Sequence, residues 1–319
     1  TARSRLQARA GRGLTRFVGR QAELAQLARA LERAHDGDGQ VVAVIGEPGV
    51  GKSRLFWEFV RSFRTQGWLA LESGATAHGQ ATAYLPISVL LRSYFQIEGR
   101  DDVRRVREKV GGKVVTLDEA LLPSLPALLA LLDVPVEDRA WQSLDPPQRR
   151  KQTIEACKRL LIRESQVQPL VLVFEDLHWV DSETQALLDS LVDALPTARV
   201  LLLVNYRPEY QHGWASKTSY TQLRAEPLPS ESAGALLGAL LGADPSLEPL
   251  KRFLIERTDG NPFFLEESVR TLIEAGNLAG DRGGYQLTKP LDGIRVPPTV
   301  QAVLAARIDR LPPVEKRLL

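Results

Sequence analysis

The chain has 319 residues, 44% hydrophobic and 25% charged, with 41 basic against 39 acidic side chains and a single cysteine. That balance excludes a collagen-like or wholly disordered chain. The net charge of +2 gives no footprint for nucleic acid, and one cysteine excludes a disulfide scaffold and fits a reducing compartment. The length allows about two domains at ~150 residues each. The longest apolar run, around Ala127–Leu132, is far short of the ~18 residues a membrane helix needs. The arginine-rich N-terminus lacks the apolar core of a signal peptide, so a cytoplasmic protein is expected. Methionine is absent, and Thr1 is therefore read as a processed or cut end of something larger.

In chain order, residues 1–16 carry Arg3, Arg5, Arg9, Arg12 and Arg16 with no acid. They read as a solvated basic linker, a nucleic-acid arm being the lesser alternative. Leu24, Leu27, Ala28 and Leu31 then share one face of a helix that Gly37-Asp38-Gly39 ends. Val41–Ile45 is apolar without alternation, the pattern of a strand buried on both faces of a parallel sheet. A glycine loop and a helix from Ser53 to about Arg64 follow, and Trp68–Leu71 is a second strand candidate. About a hundred helical and irregular residues come next, punctuated by Pro86, Pro123, Pro126, Pro135 and Pro146-Pro147. A long helix over Gln148–Ser165 leads into two more buried strands, Leu170–Phe174 and Val200–Val204. An amphipathic helix with Leu187, Leu188, Leu191 and Val192 separates them. Strands alternating with helices predict an α/β domain that ends near Leu228. Beyond it, Ser230–Leu241, Leu250–Thr258 and Phe263–Ala275 read as short helices, Tyr285–Thr288 as a strand and Thr299–Leu311 as one more helix.

Gly46-Glu47-Pro48-Gly49-Val50-Gly51-Lys52-Ser53 is a complete G-x-x-x-x-G-K-S. Phosphates are held by successive backbone N–H groups, which requires glycine dihedrals and the positive end of a following helix. Lys52 adds a cation for the β/γ-phosphates, and the Ser53 hydroxyl a ligand for Mg²⁺. A buried strand before this run and a helix after it are the context that gives the motif meaning. Glu175-Asp176 follows the buried strand Leu170–Phe174, at the edge of a parallel sheet where ligands collect. One carboxylate would hold Mg²⁺ and the other orient an attacking water. Asp181 reads as an N-cap, His178 as a packed or hydrogen-bonding loop residue and Cys157 as a buried small residue. Arg207, three residues beyond Val204, either senses the γ-phosphate or makes a structural ion pair. Four scattered histidines and one cysteine provide no metal cluster.

In this order, loop, acidic strand and arginine strand, the chain resembles the STAND class of signalling P-loop NTPases, relatives of the AAA+ ATPases. It is most similar to the ATPase module of bacterial multidomain regulators, including those linked to class III adenylate/guanylate cyclases. The resemblance is carried by Gly13–Arg20, Gly46–Ser53, Glu175–Asp181, Tyr206–Tyr210, Asp259–Glu267 and Val296–Gln301. It implies a P-loop α/β core over 17–228, a helical lid domain over 229–295 and the truncated start of a winged helix over 296–319. It also implies that Phe17, Val18 and Arg20 line the adenine side, and that Pro262 reaches the nucleotide from the lid. Nucleotide contacts are expected from Gly46, Gly49, Val50, Gly51, Lys52, Ser53 and Arg54, with ATP or ADP and Mg²⁺ bound. AAA+ relatives place Asp before Glu. Here Glu175 is assigned to Mg²⁺ and the shorter Asp176 to water, although the two roles could be exchanged.

The expected function is an ATP-binding, slowly hydrolysing switch that gates an output domain outside these residues. Flanking partners would be an upstream cyclase and downstream helical repeats, with nucleotide-driven oligomerisation as a further expectation. A nucleotide-bound scaffold without turnover and a DNA-binding regulator are the alternatives, and neither membrane nor nucleic acid is an expected partner of this segment.

Overall fold

The computed structural model describes residues 13–290. The basic linker before residue 13 and the expected winged-helix start at 296–319 lie outside the described residues. Two compact units are present. The first comprises Ala22–Gly46 and Lys52–Arg224, and the second holds Glu47–Gly51 together with residues 13–21 and 225–290.

The first unit is built on five parallel strands: β1 (Gln40–Ile45), β2 (Leu69–Gly74), β3 (Leu170–Glu175), β4 (Val200–Tyr206) and β5 (Tyr220–Arg224). Their order across the sheet is β2-β3-β4-β1-β5. The apolar runs are buried on both faces. Val41 and Ala43 join one core cluster, while Val42 and Val44, pointing the other way, are equally inaccessible. Fully burying a Val or Leu side chain contributes about 1.5–3 kcal/mol, so the uninterrupted runs of β1, β3 and β4 dominate the stability of this sheet. Helix α1 (Gln21–His35) precedes β1, and α2 (Lys52–Val60) follows the glycine loop and packs on β3 and β4.

Between β2 and β3 the chain makes five helices: α3 (Leu85–Tyr94), α4 (Val103–Leu117), α5 (Leu125–Leu131), α6 (Arg139–Ser143) and α7 (Pro146–Val167). The prolines here mark beginnings. Pro86, Pro126 and Pro146 sit in the first turns of their helices, where a missing N–H costs nothing. α7 also starts with a reciprocal cap between Asp145 and Gln148, which is why it begins earlier than its apolar pattern suggests. Helix α8 (Ser182–Ala194) connects β3 to β4, with Asp181 accepting from the N–H groups of Glu183 and Thr184 as the predicted N-cap.

Two features were not anticipated. β4 continues past Val204 because Asn205 and Tyr206 are buried with it. β5 is an edge strand in which only Leu223 is fully buried, so it lacks the apolar run that betrays the central strands.

In the second unit, α9 (Ser230–Leu241), α10 (Glu248–Thr258) and α11 (Pro262–Glu274) surround a core of Leu236, Leu237, Leu250, Leu254, Leu265 and Leu272. Asn261 caps α11 by accepting from Phe263 N–H, and Gly276 ends it at φ +69°. A short antiparallel pair, β6 (Leu278–Ala279) with β7 (Gln286–Leu287), follows.

Candidate functional site

Strand register places the chemistry. Ile45 pairs with Tyr206, so Gly46 and Arg207 each stand one residue past the carboxyl ends of adjacent strands. Phe174 pairs with Val204, which sets Glu175 level with Asn205 on the other side of β4. Gly46, the acids and Arg207 are therefore gathered by backbone pairing alone at the edge where ligands of parallel sheets bind.

Within the first unit, Lys52 is 7% exposed and its Nζ donates to Gly46 O at 2.6 Å. This bond folds the lysine back over the loop it would serve. The Ser53 hydroxyl hydrogen-bonds the Glu175 carboxylate. Burial raises the pKa of Glu175 above the usual range, with a smaller push from Asp176 and Glu72, while Ser53 and Asn205 oppose the shift. Asp176 adopts φ +59°, a left-handed conformation uncommon outside glycine. Its N–H donates to Asn205 Oδ1 at 2.9 Å, and Asn205 Nδ2 lies 3.5 Å from Glu175 Oε2. Asn205, fully buried, thus touches both acids. Sequence reasoning passed it over, although an amide inside the run Leu201–Tyr206 is the kind of buried polar residue that needs a reason.

Arg207 lies with its guanidinium 5.8 Å from the centre of the Trp179 ring and 4.0 Å from Glu209. At 37% side-chain exposure it is no buried structural ion pair. Of the two expected forms of His178, packed or hydrogen-bonding, the structure has the packed one: both ring nitrogens are buried and find no partner among the described residues. Its ring packs against Trp179, and burial lowers its pKa, with Asp176, Arg207, Glu209 and Lys52 as the charges it feels. Arg54 Nε donates to Glu58 Oε1 at 2.6 Å. Cys157 is fully buried and its thiol is pushed up to about 12, as its position on α7 suggested.

In the second unit the side chains grip backbone. Gly49 has φ +87°, and a Cβ there would meet Asn261 Oδ1 at 2.8 Å. Asn261 Nδ2 donates to Pro48 O at 3.0 Å, and Phe263 N–H to Gly49 O at 3.3 Å. Arg20, 6% exposed, donates to Val50 O at 2.9 Å and also to Glu226 O. Pro262 lies close to Gly51, its Cγ 3.9 Å from where a Cβ would stand. Val18 packs against the core of this unit and Phe17 is half-buried. Arg20 and Asn261 therefore set the path of the loop.

The AAA ATPase domain family matches residues 16–204, more than half of the chain. The chain belongs to that family. Its parallel sheet, loop and acidic strand have the P-loop NTPase α/β fold. An uncharacterized protein of Rhizobium meliloti (strain 1021) is 25% identical over 233 residues, covering 67% of this chain and 21% of its own length. The chain thus spans about a fifth of that relative. Two solved structures align over 95% of the chain at 16% identity. One is a STAND protein with a tetratricopeptide repeat sensor from Pyrococcus horikoshii, with 34% of it covered and a TM-score of 0.44. The other is the ORC1 protein of Aeropyrum pernix in complex with DNA, with 71% covered and a TM-score of 0.45. No helix of the described residues is long and apolar enough to cross a membrane.

Proposed function

We propose that this AAA ATPase domain is a slowly hydrolysing ATP switch of the STAND type, whose nucleotide state gates an output segment beyond these residues. The observation that carries the reading is the Ser53–Glu175 hydrogen bond, which joins the loop hydroxyl to the acid at the end of β3. Mg²⁺ fits this pair. A hydroxyl and a carboxylate are hard oxygen donors, and Mg²⁺ is held by one or two such groups together with substrate phosphates and waters. When bound, Mg²⁺ neutralises charge on the β- and γ-phosphates.

The chain's own residues do the rest. Lys52 exchanges its bond to Gly46 O for phosphate oxygens, and the N–H groups of the loop enclose them. Asp176 orients a water and accepts its proton as the water oxygen attacks the γ-phosphorus. The bond to the β–γ bridging oxygen breaks, giving ADP and inorganic phosphate. Arg207 meets the developing charge. The short, left-handed Asp176 favours slow turnover, which a switch requires. A ligand shifts such an equilibrium only through differential affinity for its states, and contacts to the γ-phosphate supply that difference.

Calorimetry of ATP-Mg²⁺ binding with single-turnover hydrolysis tests the proposal. Binding and turnover lost in Lys52→Ala support it, and unchanged affinity removes it. The same Asp176 conformation motivates a second reading, a nucleotide-bound scaffold. Bound ATP that stays intact for hours would favour the scaffold.

A further inference from the structure

Arg207 opens the loop that joins β4 to β5, and that loop is organised around one imidazole. His212 Nε2 lies 2.8 Å from the Tyr206 hydroxyl and 3.1 Å from the Tyr220 hydroxyl. The two hydroxyls are 2.8 Å apart and both reach Gln222 Oε1. On its other side, His212 Nδ1 accepts the Trp214 backbone N–H at 3.1 Å, capping the short helix Gly213–Ser216. The ring also packs on Trp214 at 4.6 Å and on Tyr206 at 5.2 Å.

The loop is tied in turn to α8, the helix that the acidic segment caps. Trp214 Nε1 donates to Asp189 Oδ1 at 2.7 Å, an oxygen also bonded by Gln185 Nε2 at 2.8 Å. Tyr210 donates to Gln185 Oε1, and its N–H closes a turn onto Arg207 O at 3.1 Å. Farther along, Lys217 pairs with Asp193 at 2.7 Å.

We infer that His212 is a positioning residue for Arg207: uncharged, it latches the loop onto α8, and protonation releases the latch. Because Nδ1 accepts a backbone N–H, the neutral ring carries its hydrogen on Nε2, where the two tyrosines can accept it. A second proton would sit on Nδ1, facing the Trp214 N–H with two donors and no acceptor. The groups around the ring are Tyr206 from β4, Tyr220 and Gln222 from β5, Tyr210 from the loop, and Asp189 from α8. Burial holds the pKa of His212 below its ordinary 6.5, and Asp189 pulls weakly the other way. The catalytic consequence rests on the proposed meeting of Arg207 with the γ-phosphate. The latch itself does not.

The test is an NMR pH titration of the full chain from 7.5 to 5, following the indole N–H of Trp214 in the latch and of Trp179 beneath Arg207. His212→Asn and His212→Ser keep a capping oxygen but cannot take up the proton. Both indoles should shift with one midpoint below 6.5 in the wild type, and that component should vanish in the variants. His178, beside Trp179, is common to all three proteins and cancels in the comparison. A silent Trp179, or the same titration with and without His212, overturns the inference. Single-turnover ATP hydrolysis is run in parallel. An acid loss of roughly tenfold to a hundredfold, the scale of misplacing a group by about 1 Å, should appear in the wild type alone. Matching indole shifts without turnover in any of the proteins support the latch and remove the ATPase reading instead.

Discussion

Each unit holds its own part of the phosphate-loop motif, and the two do so in different ways. In the first, side chains also meet side chains, Ser53 with Glu175, Asn205 with Glu175 and Arg207 over Trp179, beside the bonds that Lys52 and Asn205 make to main chain. In the second, side chains hold main chain, Arg20 on the carbonyl of Val50 and Asn261 on that of Pro48. One set brings charged groups together and leaves His178 without a hydrogen-bond partner among the described residues. The other fixes where the loop's N–H groups point. Catalytic capacity and loop shape are thus separate properties, and substitutions can pull them apart.

The largest effect is expected at Lys52, which belongs to the charge-bearing set. Lys52→Ala should lower ATP affinity roughly 100-fold by calorimetry, since hydrogen bonds between charged groups are worth about 1.5–3 kcal/mol. Next comes Asp176→Asn, which removes the proton acceptor but no phosphate contact. Single-turnover rates should fall by about 10²–10⁴ while ATP binding persists. Equal losses of binding and rate would collapse the distinction between chemistry and loop shape. Arg20→Ala tests the other side. Leaving buried carbonyls unpaired should cost about 1–3 kcal/mol, read as a lower Tm without nucleotide. Arg20→Lys should not restore it, because one ammonium cannot reproduce the guanidinium fork.

The smallest effect is at His212. Its folded-state pKa is depressed, so the unfolded chain binds the proton first. Stability should decline as pH falls below about 6.5, until the folded protein is protonated as well. His212→Asn should flatten that decline in a pH series of thermal melts.

Most of this architecture was legible because burial writes itself into sequence. The runs Val41–Ile45, Leu170–Phe174 and Val200–Val204 have no polar alternation, and only a sheet covered on both faces accommodates that. β5 was not legible, because an edge strand with Thr221, Gln222 and Arg224 reads like a loop. Among site residues, those with a charge at a strand end stood out. Asn205 did not, since its importance comes from register with Glu175 across two strands, a relation no local window contains. The assignment of Arg20 to the adenine side came from resemblance, whereas its bonds to Val50 and Glu226 depend on tertiary placement.

The pairing of β3 with both β2 and β4 has a consequence for how this chain can vary. Its register is fixed by hydrogen bonding to its two neighbours, so the five helices between β2 and β3 support Glu175 through the core they share with the sheet and not through the ladder itself. The exposed side of that crossover is free to acquire a new surface, provided its buried leucines stay in the core and Tyr84 keeps its bonds to Asp181 and Glu183 at the head of α8. Novelty in relatives should therefore accumulate there, in a region the nucleotide chemistry does not audit.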